Sequence, residues 1–313
     1  MNKTLNILVT SCGGDIGQSI GKILNKLSHH SFGIDISDKN ASQFIFNNFE
    51  VGLKVSHADY ISNLEVYVKK NQIDIIIPIS EPELRFYTKN YKGTPVIGGA
   101  KVLMANHFSR KIGFNKKETC LFLNKHNLPN PTLYDLSSSN VSFPIIAKPN
   151  TGAGSANIFI VDDFEEFRFL KNKYNDLIFQ ELLDGTEGEF TCCVYRAKSG
   201  ETRTISFKRE LTSGGYSGYG EVVEDDRIII LLEQMANLLK LEGSINIQLR
   251  IHNGVPVVFE INPRFSSTIL FRDLLGFRDL QWSIQEALGE QLLEYTKPKA
   301  GTCFYKGYNE YIS

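Results

Sequence analysis

Ser244-Ile245-Asn246-Ile247-Gln248-Leu249-Arg250-Ile251-His252-Asn253-Gly254-Val255-Pro256-Val257-Val258-Phe259-Glu260-Ile261-Asn262-Pro263-Arg264 is the stretch on which the fold turns. Apolar runs at 244–251 and 255–261 read as two strands, and Asn253-Gly254 between them is the pair that a tight hairpin turn prefers. The second strand ends in Glu260, Asn262 and Arg264, a carboxylate, an amide and a guanidinium in close succession. Side chains alternate along a strand, so Glu260 and Asn262 share a face, and Gln248 on the partner strand can join them. Oxygen donors on one face suit hard Mg2+, which needs few protein ligands when phosphates fill its other positions. The plainer reading of the same residues is a sheet edge with a solvated glutamate and an Asn-Pro turn.

Two upstream segments bear on that choice. Ala147-Lys148-Pro149-Asn150-Thr151-Gly152-Ala153-Gly154-Ser155 is a lysine at a strand end followed by a loop of small residues. Such loops let backbone N–H groups approach phosphate oxygens while the lysine supplies a point charge. The G-x-x-x-x-G-K-[ST] phosphate loop is absent, and taken alone the segment also reads as a simple hairpin turn. Phe179-Gln180-Glu181-Leu182-Leu183-Asp184-Gly185-Thr186-Glu187-Gly188-Glu189 then runs from an apolar strand through a turn to an acid that opens another strand.

In this order the segments resemble the ATP-grasp superfamily, most closely its carbamoyl-phosphate synthase large-subunit-like branch, over roughly residues 5–290. The resemblance implies a Rossmann-like N-terminal domain followed by a two-lobed ATP-grasp fold, α/β overall and α+β in the two lobes. Its expected boundaries are residues 1–110, 111–185 with a linker helix, and 186–313. It also implies a carboxylate-amine (or carboxylate-nucleophile) ligase that works through an acyl phosphate and converts ATP to ADP and phosphate. Lys116 and Lys148 match the basic residues on the ATP phosphates, with Gly154 and Ser155 in the phosphate loop. Glu181 and Leu183 match the hinge that reads adenine, and Glu189 the acid on the ribose. Gln248, Glu260 and Asn262 match the metal ligands, which in the family usually hold two Mg2+, with Mn2+ as an alternative. Arg264 matches the arginine beside the transferring phosphoryl group, and Arg209 a basic residue directed at the reacting centre. Ser267 stands where carbamoyl-phosphate synthases carry another arginine, and Cys193 where many relatives have an acid. A different acid substrate is therefore expected, with Ser267 among its contacts.

The N-terminal lobe reads as strand, glycine turn and helix: Asn6–Thr10, then Ser11-Cys12-Gly13-Gly14-Asp15-Ile16-Gly17, then Ile16, Ile20, Ile23, Leu24 and Leu27 at helical spacing. Further strands fit 31–35, 73–79 and 94–98, an alternation of strands and helices that implies a doubly wound sheet. The glycine turn followed by Asp35 imitates a dinucleotide fingerprint with Cys12 in place of the first glycine, which leaves an NAD-dependent oxidoreductase as a rival reading. A third reading is an ATP-binding module without ligase chemistry. Ser80 and Glu81 end a parallel strand at the carboxyl edge of this sheet, where ligands bind, and are candidate substrate contacts. The same residues also suit the start of a helix.

Bulk composition narrows the partners. A formal net charge of -1 with 22% charged residues gives no polyanion-binding surface, so no nucleic acid is expected. The stretch Leu5–Val9 is too short to span a membrane or to form a signal-peptide core, and the five cysteines contain no C-x-x-C pair. A cytoplasmic enzyme of small-molecule carboxylate and amine substrates is the resulting expectation, with a homodimer left open. The run Ser213-Gly214-Gly215-Tyr216-Ser217-Gly218-Tyr219-Gly220 reads either as a lid over a water-sensitive intermediate or as an ordinary loop.

Overall fold

The computed structural model describes residues 4–138, 140–152, 157–212, 214–215, 217–307 and 309–312. Among them, three sheets follow one another along the chain. The first comprises β1 (Asn6–Thr10), β2 (His30–Asp35), β3 (Asn48–Val51), β4 (Ile75–Pro78), β5 (Val96–Ile97) and β6 (Ala100–Val102), in the order β3-β2-β1-β4-β6-β5. All neighbours run parallel except the β5/β6 pair. Helices α1 (Asp15–Lys26), α2 (Tyr60–Lys70) and α3 (Glu81–Asn90) connect them. Successive β1 residues point to opposite faces. Ile7 and Val9 pack with Ile20, Ile23 and Leu24 of α1 on one side, while Leu8 packs with Leu64, Val68 and Tyr87 of α2 and α3 on the other. Burial on both faces explains the unbroken apolar runs of β1 and β4.

Helices α4 (His107–Gly113) and α5 (Lys116–Lys125) lead into the second sheet. Asn115 starts α5 by accepting the Glu118 N–H at 2.9 Å. The second sheet is β7 (Leu133–Tyr134), β8 (Ile145–Pro149), β9 (Phe159–Val161) and β10 (Leu177–Glu181), antiparallel in the order β7-β10-β8-β9. Helix α6 (Phe164–Lys173), capped by Asp163 on the Glu165 and Glu166 N–H groups, covers one face through Phe167 and Leu170.

The third sheet is antiparallel throughout: β11 (Glu189–Arg196), β12 (Thr202–Leu211), β13 (Ser217–Val223), β14 (Gly243–His252), β15 (Val255–Asn262) and β16 (Cys303–Tyr305), ordered β15-β14-β11-β12-β13-β16. Helix α7 (Asp226–Leu238) packs Leu231, Leu232 and Met235 on one face. Helices α8 (Ile269–Leu274) and α9 (Asp279–Leu288) cover part of the other face, with Phe277 and Trp282 in its core. Ile269, Leu280 and Ile284 of the same pair join the core beneath α1, so the last helices tie the third sheet to the first. No helix among the described residues is long and apolar enough to cross a membrane.

The hairpin at 253–254 forms as its sequence requires, with both residues at positive φ (51° and 74°). Several elements differ from the sequence expectation. The strand expected at 94–98 shrinks to two residues, because Gly98 and Gly99 adopt positive φ and turn the chain back antiparallel into β6. Strand β3 was not anticipated, since its polar Asn48 and Glu50 give no apolar run.

Candidate active site

Elements of all three sheets surround one cleft of about 840 Å3. β11, β12, β14 and β15 form one wall, β8 and β10 another, and Gly14, Asp15 and Ile16 at the start of α1 reach it from the first sheet. Across β14 and β15, Asn246 pairs with Asn262 and Gln248 with Glu260. The register then slips so that Leu249 pairs with Val258, leaving Phe259 as the extra residue of a bulge. Consecutive strand residues normally face opposite sides, and a bulge re-aims one of them. Phe259 and Glu260 consequently both line the cleft, with Asn262 beside them.

The two expected phosphate lysines converge on this strand. Lys148, 8% exposed on β8, donates to the Phe259 carbonyl at 3.3 Å and lies 5.5 Å from the centre of its ring. Burial lowers its ammonium pKa to about 8, partly opposed by the Glu260 carboxylate. Lys116, at the first position of α5, donates to the Gly152 carbonyl at 2.8 Å and stands 3.9 Å from a Glu260 oxygen. Arg264 follows β15 and donates to the Phe265 carbonyl at 2.9 Å. Burial depresses its guanidinium pKa against the pull of Glu260 and Glu81. Gly154 and Ser155 lie outside the described residues, whereas Thr151 and Gly152 of the same loop line the cleft.

Further along the cleft, Glu189 is held by two arginines. Arg209 reaches one carboxylate oxygen at 2.7 Å and Arg250 the other at 2.8 Å. Burial pushes the Glu189 carboxyl up, but the two guanidinium groups outweigh it and hold the group below the usual carboxylate range. Arg209 also donates to Gln248 Oε1 at 2.9 Å, so this amide oxygen is directed at a guanidinium. Arg250 extends the cluster to the segment after β10 by donating to the Leu183 carbonyl at 2.8 Å. Glu181 lines the cleft while accepting from the Thr132 N–H and hydroxyl, both at 3.1 Å.

Of the three substrate candidates, Ser267 lines the cleft and Ser80 and Glu81 do not. Glu81 instead accepts the Gly152 N–H at 3.0 Å and pairs with Arg85 at 2.6 Å, which ties the first sheet to the loop after β8. Cys193 is buried beneath α9, its sulfur 3.2 Å from the Ser244 hydroxyl and 3.5 Å from Asp279, and it does not reach the cleft. Ser213 and Tyr216 of the glycine run lie outside the described residues, and Leu211 and Gly215 line the cleft. Sequence reasoning missed Thr191, Asn246, Arg250 and Phe259. Asn246 carried a usable signal, since it lies two residues from Gln248 and therefore on its face.

The glycine turn of the first lobe is engaged internally. Gly13 donates its N–H to Asp35 at 2.7 Å, joining the two groups that a dinucleotide would use for its pyrophosphate and ribose. A Cβ at Gly13 would come within 2.8 Å of that carboxylate. In this structure the two groups are thus paired with each other.

Comparison with known proteins places the site in a wider context. Residues 114–268 match the model of an ATP-grasp domain. The chain is 23% identical over 262 residues to a carbamoyl phosphate synthase large chain of Thermoanaerobacter sp., covering 74% of this chain and 23% of that one. It is 22% identical over 188 residues to a D-alanine–D-alanine ligase of Flavobacterium psychrophilum, covering 50% and 56%. The chain thus spans under a quarter of the first relative and little more than half of the second. Among solved structures, the biotin carboxylase domain of Hydrogenobacter thermophilus 2-oxoglutarate carboxylase, in complex with MgADP, ADP and bicarbonate, superposes with a TM-score of 0.75. The identity there is 14%, over 96% of this chain and 74% of that one, a likeness of fold.

Proposed function

We propose that the chain is an ATP-grasp enzyme, as the match of residues 114–268 to an ATP-grasp domain supports, and that it joins a small carboxylic acid to an amine or another nucleophile at the expense of ATP. One observation carries the reading: Lys116 of α5, Lys148 of β8, and Glu260, Asn262 and Arg264 at the end of β15 line one cleft large enough for a nucleotide and a small acid. The division at about residues 110 and 185 into a first domain and two ATP-grasp lobes belongs to the same proposal.

A carboxylate is a poor electrophile, because expelling oxide from it is prohibitive. Transfer of the terminal phosphoryl group of ATP to a carboxylate oxygen releases ADP and leaves an acyl phosphate. The nucleophile attacks its carbonyl carbon, phosphate departs with the bridging oxygen, and the nucleophile loses a proton. This chain's part is to position the reactants and offset charge. Lys116 and Lys148 take the phosphate oxygens, and Arg264 takes the phosphoryl group in transfer. Glu181 and Leu183 frame the adenine, and Glu189 meets the ribose by exchanging its arginine partners for hydroxyl groups.

The donor set fits Mg2+, or Mn2+ with the same oxygen ligands, only in part. Glu260 and Asn262 would hold the ion, which when bound neutralises phosphate charge. Among the described residues no group of three or more His, Cys, Asp or Glu could hold a metal, so phosphate oxygens and water must complete the coordination. Gln248 Oε1 accepts from Arg209, and its second lone pair is what it would offer an ion.

The test is ADP release from Mg-ATP across panels of carboxylic acids and amines. Release that requires one acid and one nucleophile supports the proposal. Tight ATP binding with no acid-dependent release across a broad panel favours the binding module.

A further inference from the structure

A second cavity, of about 460 Å3, opens between the β6 edge of the first sheet and the start of β14. Five cationic side chains line it, Lys92, Lys101, Arg110, Lys198 and Arg264, against two carboxylates, Glu242 and Glu286. Glu286 is already engaged: one oxygen accepts the Lys198 N–H at 2.7 Å and the other the Tyr195 hydroxyl at 3.2 Å. The lysines are exposed at the mouth, and taken alone they would be ordinary surface residues.

Arg110 sets this cavity apart. Its side chain, on α4, is 1% exposed, and its donors meet neutral groups: Nε reaches the Thr88 hydroxyl at 3.0 Å and Nη1 the Ala105 carbonyl. Nη2 is buried with no hydrogen-bond partner. No carboxylate among the described residues lies within ion-pair distance of it. Burial draws the guanidinium pKa down to about 10, still far above neutrality, so the charge remains. A buried charge without a counter-ion is unfavourable, and the one unpaired donor, Nη2, is a group that a carboxylate or phosphate oxygen would satisfy.

We propose that this cavity is a second anion site, separate from the nucleotide cleft, that takes a small molecule bearing a carboxylate or phosphate group, with Arg110 at its base and Lys198 at its mouth. Arg264 and Phe265 line this cavity, and Arg264 lines the cleft as well, so the two spaces share a wall. Binding here does not depend on the ligase reading and can be tested without turnover.

The experiment titrates the full chain with inorganic phosphate and, separately, with succinate, at ionic strength held constant with chloride and with the cleft saturated by a non-hydrolysable ATP analogue. Calorimetry reads binding. Saturable binding of at least one anion is expected, retained in Lys148→Ala and weakened about tenfold or more in Arg110→Met, the loss of one charge-assisted contact. The arm that responds separates a phosphate ligand from a carboxylate one. Lys198→Glu, at an exposed position, must also weaken binding and serves if Arg110→Met does not fold. No saturable binding of either anion overturns the proposal. So does binding that survives both cavity variants, or binding that is lost in Lys148→Ala.

Discussion

Glu83, in the first turn of α3, is the acid whose burial has the most direct thermodynamic consequence. It is 2% exposed, the Thr10 hydroxyl lies 2.7 Å from both of its oxygens and shares its one proton between them, and one oxygen also accepts from Tyr60. Burial raises its pKa from 4.5 to about 6, with the hydroxyl donors opposing. A raised carboxyl pKa means that the native state holds a proton which the unfolded chain gives up. Below about pH 4.5 both states are protonated and Glu83 costs nothing. Between there and about pH 6 the stability falls, and above that the deficit is constant. At about 1.4 kcal/mol per pH unit, the interval amounts to ~2 kcal/mol. Glu83→Gln cannot titrate, so its stability should lack this component whatever its absolute value. Urea unfolding followed by circular dichroism, between pH 4.5 and 7, measures the difference between wild type and variant. That difference should move by about 2 kcal/mol in favour of the variant as pH rises. Parallel curves, or a drift in favour of the wild type, would show that Glu83 does not carry this pH dependence.

Other predictions follow from single contacts. Gly17→Ala places a methyl group 2.5 Å from the Cys12 Cα, a backbone atom that cannot swing aside, so the midpoint of urea unfolding should drop by the equivalent of about 1–3 kcal/mol. Lys148→Ala removes a buried ammonium from the cleft wall. The affinity for ATP should fall about tenfold or more by calorimetry, with a smaller change in the thermal midpoint, because a hydrogen bond to a charged group contributes about 1.5–3 kcal/mol. Glu81→Ala severs the bond to the Gly152 N–H and should raise KM for ATP while leaving the far-ultraviolet dichroism spectrum unchanged.

The hairpin from β14 to β15 was legible because its two signals are local: Asn253-Gly254 sets the turn, and alternation sets the face shared by Glu260 and Asn262. What escaped the sequence depends on tertiary structure. Phe259 reads as a core residue until the bulge turns it toward Lys148. Arg250 reads as a solvated strand residue until Glu189 is found opposite it. Helices α8 and α9 went unread because Ile269, Leu280 and Ile284 bury against α1, more than two hundred residues earlier, and not against a neighbouring element. Glu81 and Glu83 fit a helix start equally well by sequence, yet one reaches out to Gly152 and the other is sealed inside. The glycine turn imitates a dinucleotide loop in pattern, while its N–H group is spent on Asp35.

The proposed reaction activates a carboxylate as an acyl phosphate. With the acid that supports ADP release, prepared with both carboxylate oxygens replaced by a heavy isotope, mass spectrometry of the released phosphate tests it most directly. Each phosphate formed should carry one labelled oxygen, and Glu260→Ala should lose this product. Phosphate formed at the normal rate without label would contradict it.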